Sequence, residues 1–252
     1  VEAVGEGVSD LKVGDRVCAW RDSGEGHHGC YAQYIAIDAA RVIRVPEEYP
    51  DEALAPLELA MCVSTCFRML SDMDAIRDRC FGVCGLGPAG LVALQMARAE
   101  GARKVYGFDF ISERRDLAEH LGAAACYDPQ DDLSRVFPVR PDRPKLESAV
   151  DCVGAKASVE FLMDRTQDVL ALFGVQREDY TFSPRHYSGL RLCGYNGHSR
   201  ESAEYAIDLI ARCKLDLSTL VTHKLPLERY GEGVDLLENR QAVKVCFLPW
   251  ED

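Results

Sequence analysis

The chain has 252 residues, of which 47% are hydrophobic, so it is long enough for one large domain or two modest ones with buried cores. Its 41 acidic and 29 basic side chains give a net charge of -12, which opposes binding to nucleic acid or to an anionic membrane. No apolar run approaches the roughly 20 residues of a bilayer-spanning helix, and the first residues lack the pattern of a signal peptide. We therefore expect a soluble, cytoplasmic protein whose partner is a small molecule.

The eleven cysteines are scattered along the chain without a Cys-x-x-Cys pair. This spacing favours the reduced thiols of a cytoplasmic protein over a disulfide framework. Cys62 and Cys66 are four residues apart and could ligate a metal from one helix face. Cysteine is also among the most buried residue types, so packing is the favoured interpretation.

Residues 1–50 are predicted to be β structure. A turn at Gly14 and Asp15 leads into the β-branched run of LKVGDRVCAW, and YAQYIAI (residues 31–37) alternates as strands do. His27 and His28 lie between these runs in a loop rich in Gly and Ser. They could bind a metal or a substrate, but the polar composition favours solvated side chains.

The middle of the chain alternates strand and helix patterns. LELAMCVSTCFRML (residues 57–70) is apolar almost all round, which predicts a buried connecting helix. RCFGVC, LVALQMARAE, KVYGFD and SERRDLAEHL then predict strand, helix, strand and helix, with Gly101 and Gly122 ending the two helices. Further strands are predicted at SAVDCV, DVLALFGV and GLRLCGY, with a helix at residues 156–164. This order predicts parallel strands joined by crossover helices.

Three further segments complete the predicted organisation. Residues 128–145 are rich in Pro and charge and predict a surface connection. Near the end of the chain, apolar spacing predicts two buried helix faces. The first consists of Tyr205, Ala206, Leu209, Ile210 and Cys213, and the second of Leu227, Tyr230, Val234 and Leu237.

The stretch CFGVCGLGPAGL places Gly85, Gly87 and Gly90 in a G-x-G-x-x-G pattern directly after a predicted strand. In such a motif the first glycine permits the tight turn, the second lets a pyrophosphate approach the backbone, and the third lets helix and strand pack closely. A diphosphate would lie at the N-terminus of the helix that begins near Pro88. By itself the motif also fits a glycine-rich turn that holds no ligand.

Asp109 follows Gly85 by 24 residues and ends the next predicted strand. A carboxylate about 20 residues beyond the glycines accepts hydrogen bonds from the adenosine ribose, and it repels a 2′-phosphate. The pattern therefore favours NAD(H) over NADP(H), although Arg114 and Arg115 lie nearby and could hold a phosphate. A methyltransferase that uses S-adenosylmethionine has similar glycine loops and is an alternative.

Four stretches of the chain resemble the medium-chain, zinc-type alcohol, sorbitol and threonine dehydrogenase family. They are VEAVGEGVSDLKVGDRVCAW, GCYAQYIAI, the segment from GLGPAGL to HLGA, and LVTHKLPLERYGEGVDLLENRQAVKV. The resemblance implies an α/β fold, with a Rossmann doubly wound parallel sheet and an incomplete GroES-like β-barrel catalytic domain. It assigns residues 1–56 to the catalytic domain, 57–196 to the NAD-binding domain and 197–252 to the return into the catalytic domain.

The resemblance also implies which residues contact the cofactor NAD. Those at the glycine turn and the ribose are Gly85, Leu86, Gly87, Pro88, Ala89, Gly90, Asp109, Phe110 and Arg114. Those at two later strand ends are Cys152, Val153 and Gly154, facing the adenosine and its ribose, and Phe173, Gly174 and Val175, facing the nicotinamide carboxamide. Ordinary strand packing is the alternative for these last six residues.

Zinc is expected only in a complete protein. In the family it acts as a Lewis acid on the substrate oxygen, and Glu58 in ELAMC corresponds to the Glu of the family's E-P-L-x-C segment, with Leu59 in place of Pro. Glu58 is thus either a metal ligand or near the metal, or it caps its own helix. The family's Cys and His-Glu ligands have no counterpart here, so their segment is expected to precede Val1. The four-cysteine lobe is also missing, which predicts no structural zinc.

The resemblance implies an enzyme, an NAD-dependent oxidoreductase that transfers hydride between nicotinamide and a polyol, sugar or secondary alcohol. Because the zinc-ligand segment is absent, this chain is expected to be inactive as it stands, and no catalytic residue is assigned. A zinc-free quinone or enone reductase of the same superfamily, compatible with STCFRML, and a non-catalytic cofactor-binding remnant are the alternatives. The family's pairing edge, which corresponds to residues 181–191, predicts a homodimer.

Overall fold

The computed structural model describes residues 1–20, 29–195, 197 and 199–250, except for the side chain of residue 52. His27, His28 and His198 therefore lie outside the described residues. The strands are β1 (Val17–Ala19), β2 (Val42–Arg44), β3 (Cys80–Cys84), β4 (Lys104–Phe108), β5 (Ala125–Tyr127), β6 (Leu146–Asp151), β7 (Thr166–Leu172), β8 (Arg191–Gly194), β9 (Val221–Pro226) and β10 (Lys244–Leu248). The helices are α1 (Asp51–Leu54), α2 (Leu57–Asp72), α3 (Pro88–Ala99), α4 (Ser112–His120), α5 (Lys156–Arg165), α6 (Arg200–Ala211) and α7 (Tyr230–Glu238). No helix in the described ranges is long and apolar enough to cross a membrane.

The chain divides into two compact units, residues 1–61 with 198–252, and residues 62–197. The boundary falls within α2, whereas the sequence assigned all of that helix to the NAD-binding domain. The predicted domain limits of 1–56, 57–196 and 197–252 therefore differ from this division by five residues at α2 and by one at residue 197.

The second unit contains a six-stranded parallel sheet with the order β5-β4-β3-β6-β7-β8. The chain builds outward from β3 in one direction and then returns to build outward in the other. This is the strand order of a Rossmann fold, as predicted. All five residues of β3 are buried, which is typical of a parallel strand covered on both faces. Helices α3, α4 and α5 connect the strands as crossovers.

Residues 128–145 connect β5 to β6 and are mostly at the surface, as their composition predicts, but three of their side chains are buried. Phe137 is fully buried and Leu133 nearly so, in a cluster with Tyr106 and Phe108. The segment also contains Arg140, which is 7% exposed. Its guanidinium donates hydrogen bonds to the backbone carbonyls of Thr166 (3.0 Å), Gln167 (2.5 Å), Ser188 (2.9 Å) and Arg185 (3.4 Å). A few buried side chains thus anchor a segment whose average composition is polar.

The first unit contains two separate strand pairs. Strands β1 and β2 are antiparallel, and β9 and β10 are parallel. The predicted strand at residues 31–37 is wrong, because these residues form no strand and leave Tyr31 and Tyr34 about two-thirds exposed. Alternating side chains predict the two faces of a strand, but a strand also needs a paired neighbour to satisfy its backbone. No such partner lies beside these residues in the described part of the unit.

The first of the two apolar helix faces predicted near the end of the chain is largely buried, and the second is not. Ala206, Leu209 and Ile210 of α6 are buried as predicted, whereas Cys213 lies beyond the helix end and is exposed. In α7 the predicted face is wrong, since Tyr230 and Leu237 are each more than 40% exposed. The buried residue of α7 is Gly233, where an added methyl group would lie 2.5 Å from the ring of Phe247. Apolar spacing missed this contact because glycine carries no hydrophobic signal.

Candidate functional site

The predicted cofactor residues come together at the carboxyl ends of four neighbouring strands within the second unit. Gly85 follows β3, Asp109 follows β4, Cys152 follows β6 and Phe173 follows β7. The order of the sheet reverses direction between β3 and β6. In open parallel sheets the crevice at such a reversal is where ligands bind. The structure therefore brings the predicted residues to one edge of one sheet.

The glycine turn is fixed by contacts that leave no room for side chains. Gly85 has φ +84°, a left-handed conformation that glycine adopts readily, and its N–H donates to the carbonyl of Phe108 at 2.8 Å. A methyl group on Gly90 would lie 1.8 Å from the carbonyl oxygen of Gly85, so helix α3 packs directly on the turn. A methyl group on Gly87 would meet only Arg114, at 3.8 Å. The turn is thus closed beneath Gly90 and open above Gly87.

The N-terminus of α3 is arranged to receive an anion. The helix begins at Pro88, and its N-cap residue Gly87 provides no side-chain cap for the first N–H groups. Ala89 and Gly90 follow in the first turn. Exposed N–H groups and the positive end of the helix dipole favour a phosphate at this position. The site therefore has the electrostatics that a diphosphate requires.

Asp109 joins the glycine turn to the end of β4. It is 8% exposed, its Oδ2 accepts a hydrogen bond from Leu86 N–H at 2.7 Å, and its Oδ1 accepts one from Ile111 N–H at 2.9 Å. A carboxylate has about four lone-pair sites, so two acceptor positions remain after these bonds. Asp109 can therefore hold the turn and still accept hydrogen bonds from two hydroxyl groups of a ribose.

The two nearby arginines occupy different positions. Nη1 of Arg114 lies 3.8 Å from Oδ2 of Asp109 and also faces the open side of Gly87. Arg115 instead donates from Nη1 to the backbone carbonyl of Asp109 at 2.7 Å and lies 3.6 Å from the Asp128 carboxylate. Arg114 is thus the arginine placed near a bound phosphate. Arg115 is engaged in holding the end of the strand.

Two loops form the other side of the crevice, residues 152–154 and 173–175. A methyl group on Gly154 would lie 2.1 Å from the carbonyl oxygen of Val175, and one on Gly174 would lie 2.3 Å from the nitrogen of Gly154. The two loops therefore touch backbone to backbone, which only glycine permits at both positions. Val153 and Val175 expose their side chains, as Phe110 does beyond Asp109, while the ring of Phe173 packs against Tyr195 at 5.1 Å.

The thiols beside this crevice are kept protonated by burial. Burial raises the pKa of Cys84 and of Cys152, and the neighbouring carboxylate of Asp151 raises both further. The pKa of Cys66 is raised to about 12, also mainly by burial. A thiol in this state is a weak nucleophile. These cysteines therefore pack around the site without supplying a reactive thiolate.

The metal prediction rests on Glu58, which is half-buried in the first turn of α2. Cys18 lies nearby, and burial followed by the Glu58 carboxylate raises the pKa of its thiol to about 12. Among the described residues no group of three His, Cys, Asp or Glu side chains could hold a metal ion. Catalytic zinc normally takes three protein ligands, so the described residues do not fit it.

Two family models match the chain in the order of the fold. The model described as zinc-binding dehydrogenase matches residues 88–212, and the model described as alcohol dehydrogenase GroES-like domain matches residues 1–47. The chain belongs to the medium-chain zinc-type dehydrogenase family. The predicted family and the predicted Rossmann and GroES-like fold are thereby confirmed.

Relatives within this family share the fold and are longer than this chain. An L-threonine 3-dehydrogenase of Anaeromyxobacter sp. (strain Fw109-5) is 27% identical over 99% of this chain and 79% of its own length. The galactitol-1-phosphate dehydrogenase structure from Escherichia coli is 25% identical, with a TM-score of 0.83 over 98% of this chain and 81% of its own. A structure from Sinorhizobium meliloti 1021 that contains NADP is 20% identical, with a TM-score of 0.83 over 99% of this chain and 81% of its own. The chain thus spans about four-fifths of these dehydrogenases.

The sequence did not single out Asp151, although this residue links both loops of the crevice. It is the last residue of β6, is fully buried, and accepts the Gly154 N–H at 2.8 Å. The signal that could have found it is the segment SAVDCV itself. An acidic side chain that ends an apolar parallel strand is costly to bury unless it binds something.

Proposed function

We propose that the chain is an NAD-dependent oxidoreductase that transfers hydride between nicotinamide and a polyol, a sugar or a secondary alcohol. The observation that carries this proposal is Asp109, a nearly buried carboxylate with two spare acceptor positions beside the N-terminus of α3. Such a carboxylate accepts the 2′- and 3′-hydroxyl groups of an adenosine ribose and repels a 2′-phosphate. Since one structurally similar protein contains NADP, the preference for NAD rests on this residue alone.

Each part of the crevice has a separate task in holding the dinucleotide. The N–H groups at the start of α3 receive the diphosphate, and Arg114 adds a positive charge beside it. Residues 152–154 flank the adenosine and its ribose, and residues 173–175 offer backbone groups to the carboxamide. When bound, the nicotinamide ring supplies or accepts the hydride. The residues of this chain therefore bind and orient the cofactor, and the site of substrate activation is not assigned.

This polypeptide alone binds the cofactor but does not oxidise alcohols. The described residues lack three ligands for zinc, whose Lewis acidity the family reaction uses to form an alkoxide. The same observation favours a second candidate, a zinc-free reductase of quinones or enones. The two candidates differ in their substrates, since an enone would be reduced without a metal and an alcohol would not be oxidised.

Titration with nicotinamide coenzymes tests the proposal. We expect NADH fluorescence to report binding with a dissociation constant on the order of micromolar, and NADPH to bind at least about tenfold more weakly. We expect no NAD⁺ reduction with polyols or secondary alcohols, and S-adenosylmethionine should not compete with NADH. Binding of S-adenosylmethionine without NADH would contradict the proposal. Reduction of an enone by NADH would establish the zinc-free candidate.

A homodimer and a cytoplasmic location are parts of the same proposal. The segment leading into edge strand β8 exposes Phe182 and Tyr187, and Arg140 fixes its backbone, which supports pairing through residues 181–191. All eleven cysteines are free thiols, which supports a reducing compartment.

The dimer can be tested at Tyr187. Sedimentation velocity should show a dimer for the native chain and a monomer for Tyr187→Asp, with unchanged thermal stability. A monomeric native chain at micromolar concentration would contradict this.

A further inference from the structure

Asp151 occupies a position at which a carboxyl group is unusual. It ends the apolar strand β6, pairs in register with Cys84 of β3 and Leu172 of β7, and has no exposed surface. Its Oδ1 is buried without a hydrogen-bond partner among the protein atoms. A group of this kind costs free energy in a core, so a structural or functional reason for it is expected.

The hydrogen bonds of Asp151 converge on the two cofactor loops. Its Oδ2 accepts the N–H of Gly154 at 2.8 Å, and its backbone carbonyl accepts the N–H groups of Phe173 and Gly174, both at 2.9 Å. Residues 152–154 and 173–175 are therefore both held by one residue. Because Gly154 also packs against Gly174 and Val175 without space for a methyl group, a shift of the first loop must move the second.

We infer that Asp151 is a positioning residue that, through Gly154, sets the position of residues 173–175 on the nicotinamide side of the crevice. This inference rests on the proposed binding of NAD, and it assigns to the Oδ2 acceptor the role of fixing the two loops relative to each other. Without that acceptor the buried Gly154 N–H loses its partner, and the loop turns to find another. Both loops then leave the positions in which their backbone groups meet the cofactor.

The side chain of Asp151 serves the loop as a hydrogen-bond acceptor. Burial raises the pKa of Asp151, although hydrogen bonds to the carboxyl partly oppose this shift. The amide of asparagine has the shape of a carboxyl group and keeps one oxygen acceptor. Asp151→Asn therefore keeps an oxygen for Gly154, whereas Asp151→Ala removes it.

The test compares NADH with ADP-ribose, which lacks the nicotinamide and, in the proposed binding mode, contacts residues 152–154 but not residues 173–175. We expect Asp151→Ala to weaken NADH binding about tenfold, as for the loss of one buried hydrogen bond, and ADP-ribose binding by no more than about threefold. Asp151→Asn should bind both ligands within about twofold of the native chain. Ser148→Ala is the matched control, since Ser148 is buried on the same strand with an unpartnered Oγ, and it should change neither affinity.

The outcomes separate this inference from the proposed function. If the native chain binds neither ligand, the proposed function fails. If the native chain binds both and Asp151→Ala weakens both equally or neither, the positioning role is wrong. An Asp151→Asn variant as weak for NADH as Asp151→Ala would also overturn it, because the acceptor would then not be what matters. Should the alanine variant fail to fold, Asp151→Ser takes its place, because the serine side chain is one atom shorter and leaves Gly154 without its acceptor. It should then weaken NADH binding more than ADP-ribose binding, as predicted for Asp151→Ala.

Discussion

Replacing Gly90 with alanine is expected to lower the free energy of unfolding by about 3 kcal/mol, which is at the upper end for overpacking in a core. The added methyl group would lie 1.8 Å from the carbonyl oxygen of Gly85 and 2.8 Å from its carbon. These are backbone atoms, so the clash can only be relieved by moving α3 away from the turn. Thermal unfolding should show a midpoint about 10 °C lower than that of the native chain.

Gly87→Ala is the matched variant on the same turn. Gly87 has an extended backbone, φ -73° and ψ -170°, which alanine adopts, and its methyl group would meet only Arg114. The midpoint of unfolding should therefore change little, whereas NADH affinity should fall at least about tenfold, because the methyl group occupies the approach of the diphosphate. If Gly90→Ala is as stable as the native chain, or if Gly87→Ala binds NADH normally, the assigned geometry of the turn is wrong.

Those parts of the second unit that depend on local patterns were predictable from the sequence. The apolar runs at β3 and β4 are parallel strands, buried throughout in β3 and in all but the first residue of β4, and the glycine motif lies between β3 and α3 as the spacing indicates. Each of these signals reports a constraint that acts within a few residues. When a strand is followed directly by G-x-G-x-x-G and a helix, the turn between them has few possible conformations. The local sequence is therefore sufficient to predict this turn.

Features that depend on distant partners were not predictable. Residues 31–37 alternate like a strand but are unpaired, and residues 128–145 are polar on average but carry buried Phe137 and Arg140. The first outcome depends on whether a partner strand lies opposite, and the second on the side chains around Phe137 and the backbone carbonyls around Arg140. Composition contains no information about either. Gly233 illustrates the same limit, because its burial comes from the ring of Phe247 and not from its own side chain.

The candidate site likewise contains residues that local sequence predicts and residues that only the folded structure reveals. The glycines and Asp109 form a pattern that can be recognised along the chain, because the turn and the next strand end are close in sequence. Asp151 belongs to the site through hydrogen bonds to residues 154, 173 and 174, which only the pairing of β6 with β7 brings together. The proximity of Cys18 to Glu58 could not be predicted from the pattern, since the two residues approach each other only through the fold of the first unit.

Replacing Asp109 with alanine is expected to weaken NADH binding between about tenfold and a hundredfold, because hydrogen bonds from ribose hydroxyls to a charged acceptor are lost. NADPH affinity should fall less or rise, because the carboxylate no longer repels the 2′-phosphate and Arg114, 3.8 Å away, is released from it. The ratio of the two affinities, measured by fluorescence titration at one ionic strength, is therefore the quantity to compare. It should move toward NADPH by at least about tenfold.

Asp116→Ala controls for the removal of one negative charge from the same region, since Asp116 is exposed on α4 and outside the crevice. It should leave both affinities unchanged. Asp109 also holds the N–H groups of Leu86 and Ile111, so a uniform loss of both coenzymes together with a lower unfolding midpoint would indicate a collapsed turn. Asp109→Asn distinguishes a collapsed turn from a lost selection between coenzymes, because asparagine keeps one oxygen acceptor for the turn but loses the charge that repels the phosphate. If neither variant changes the ratio of NADH to NADPH affinity, Asp109 does not select the cofactor, and the proposed preference for NAD is wrong.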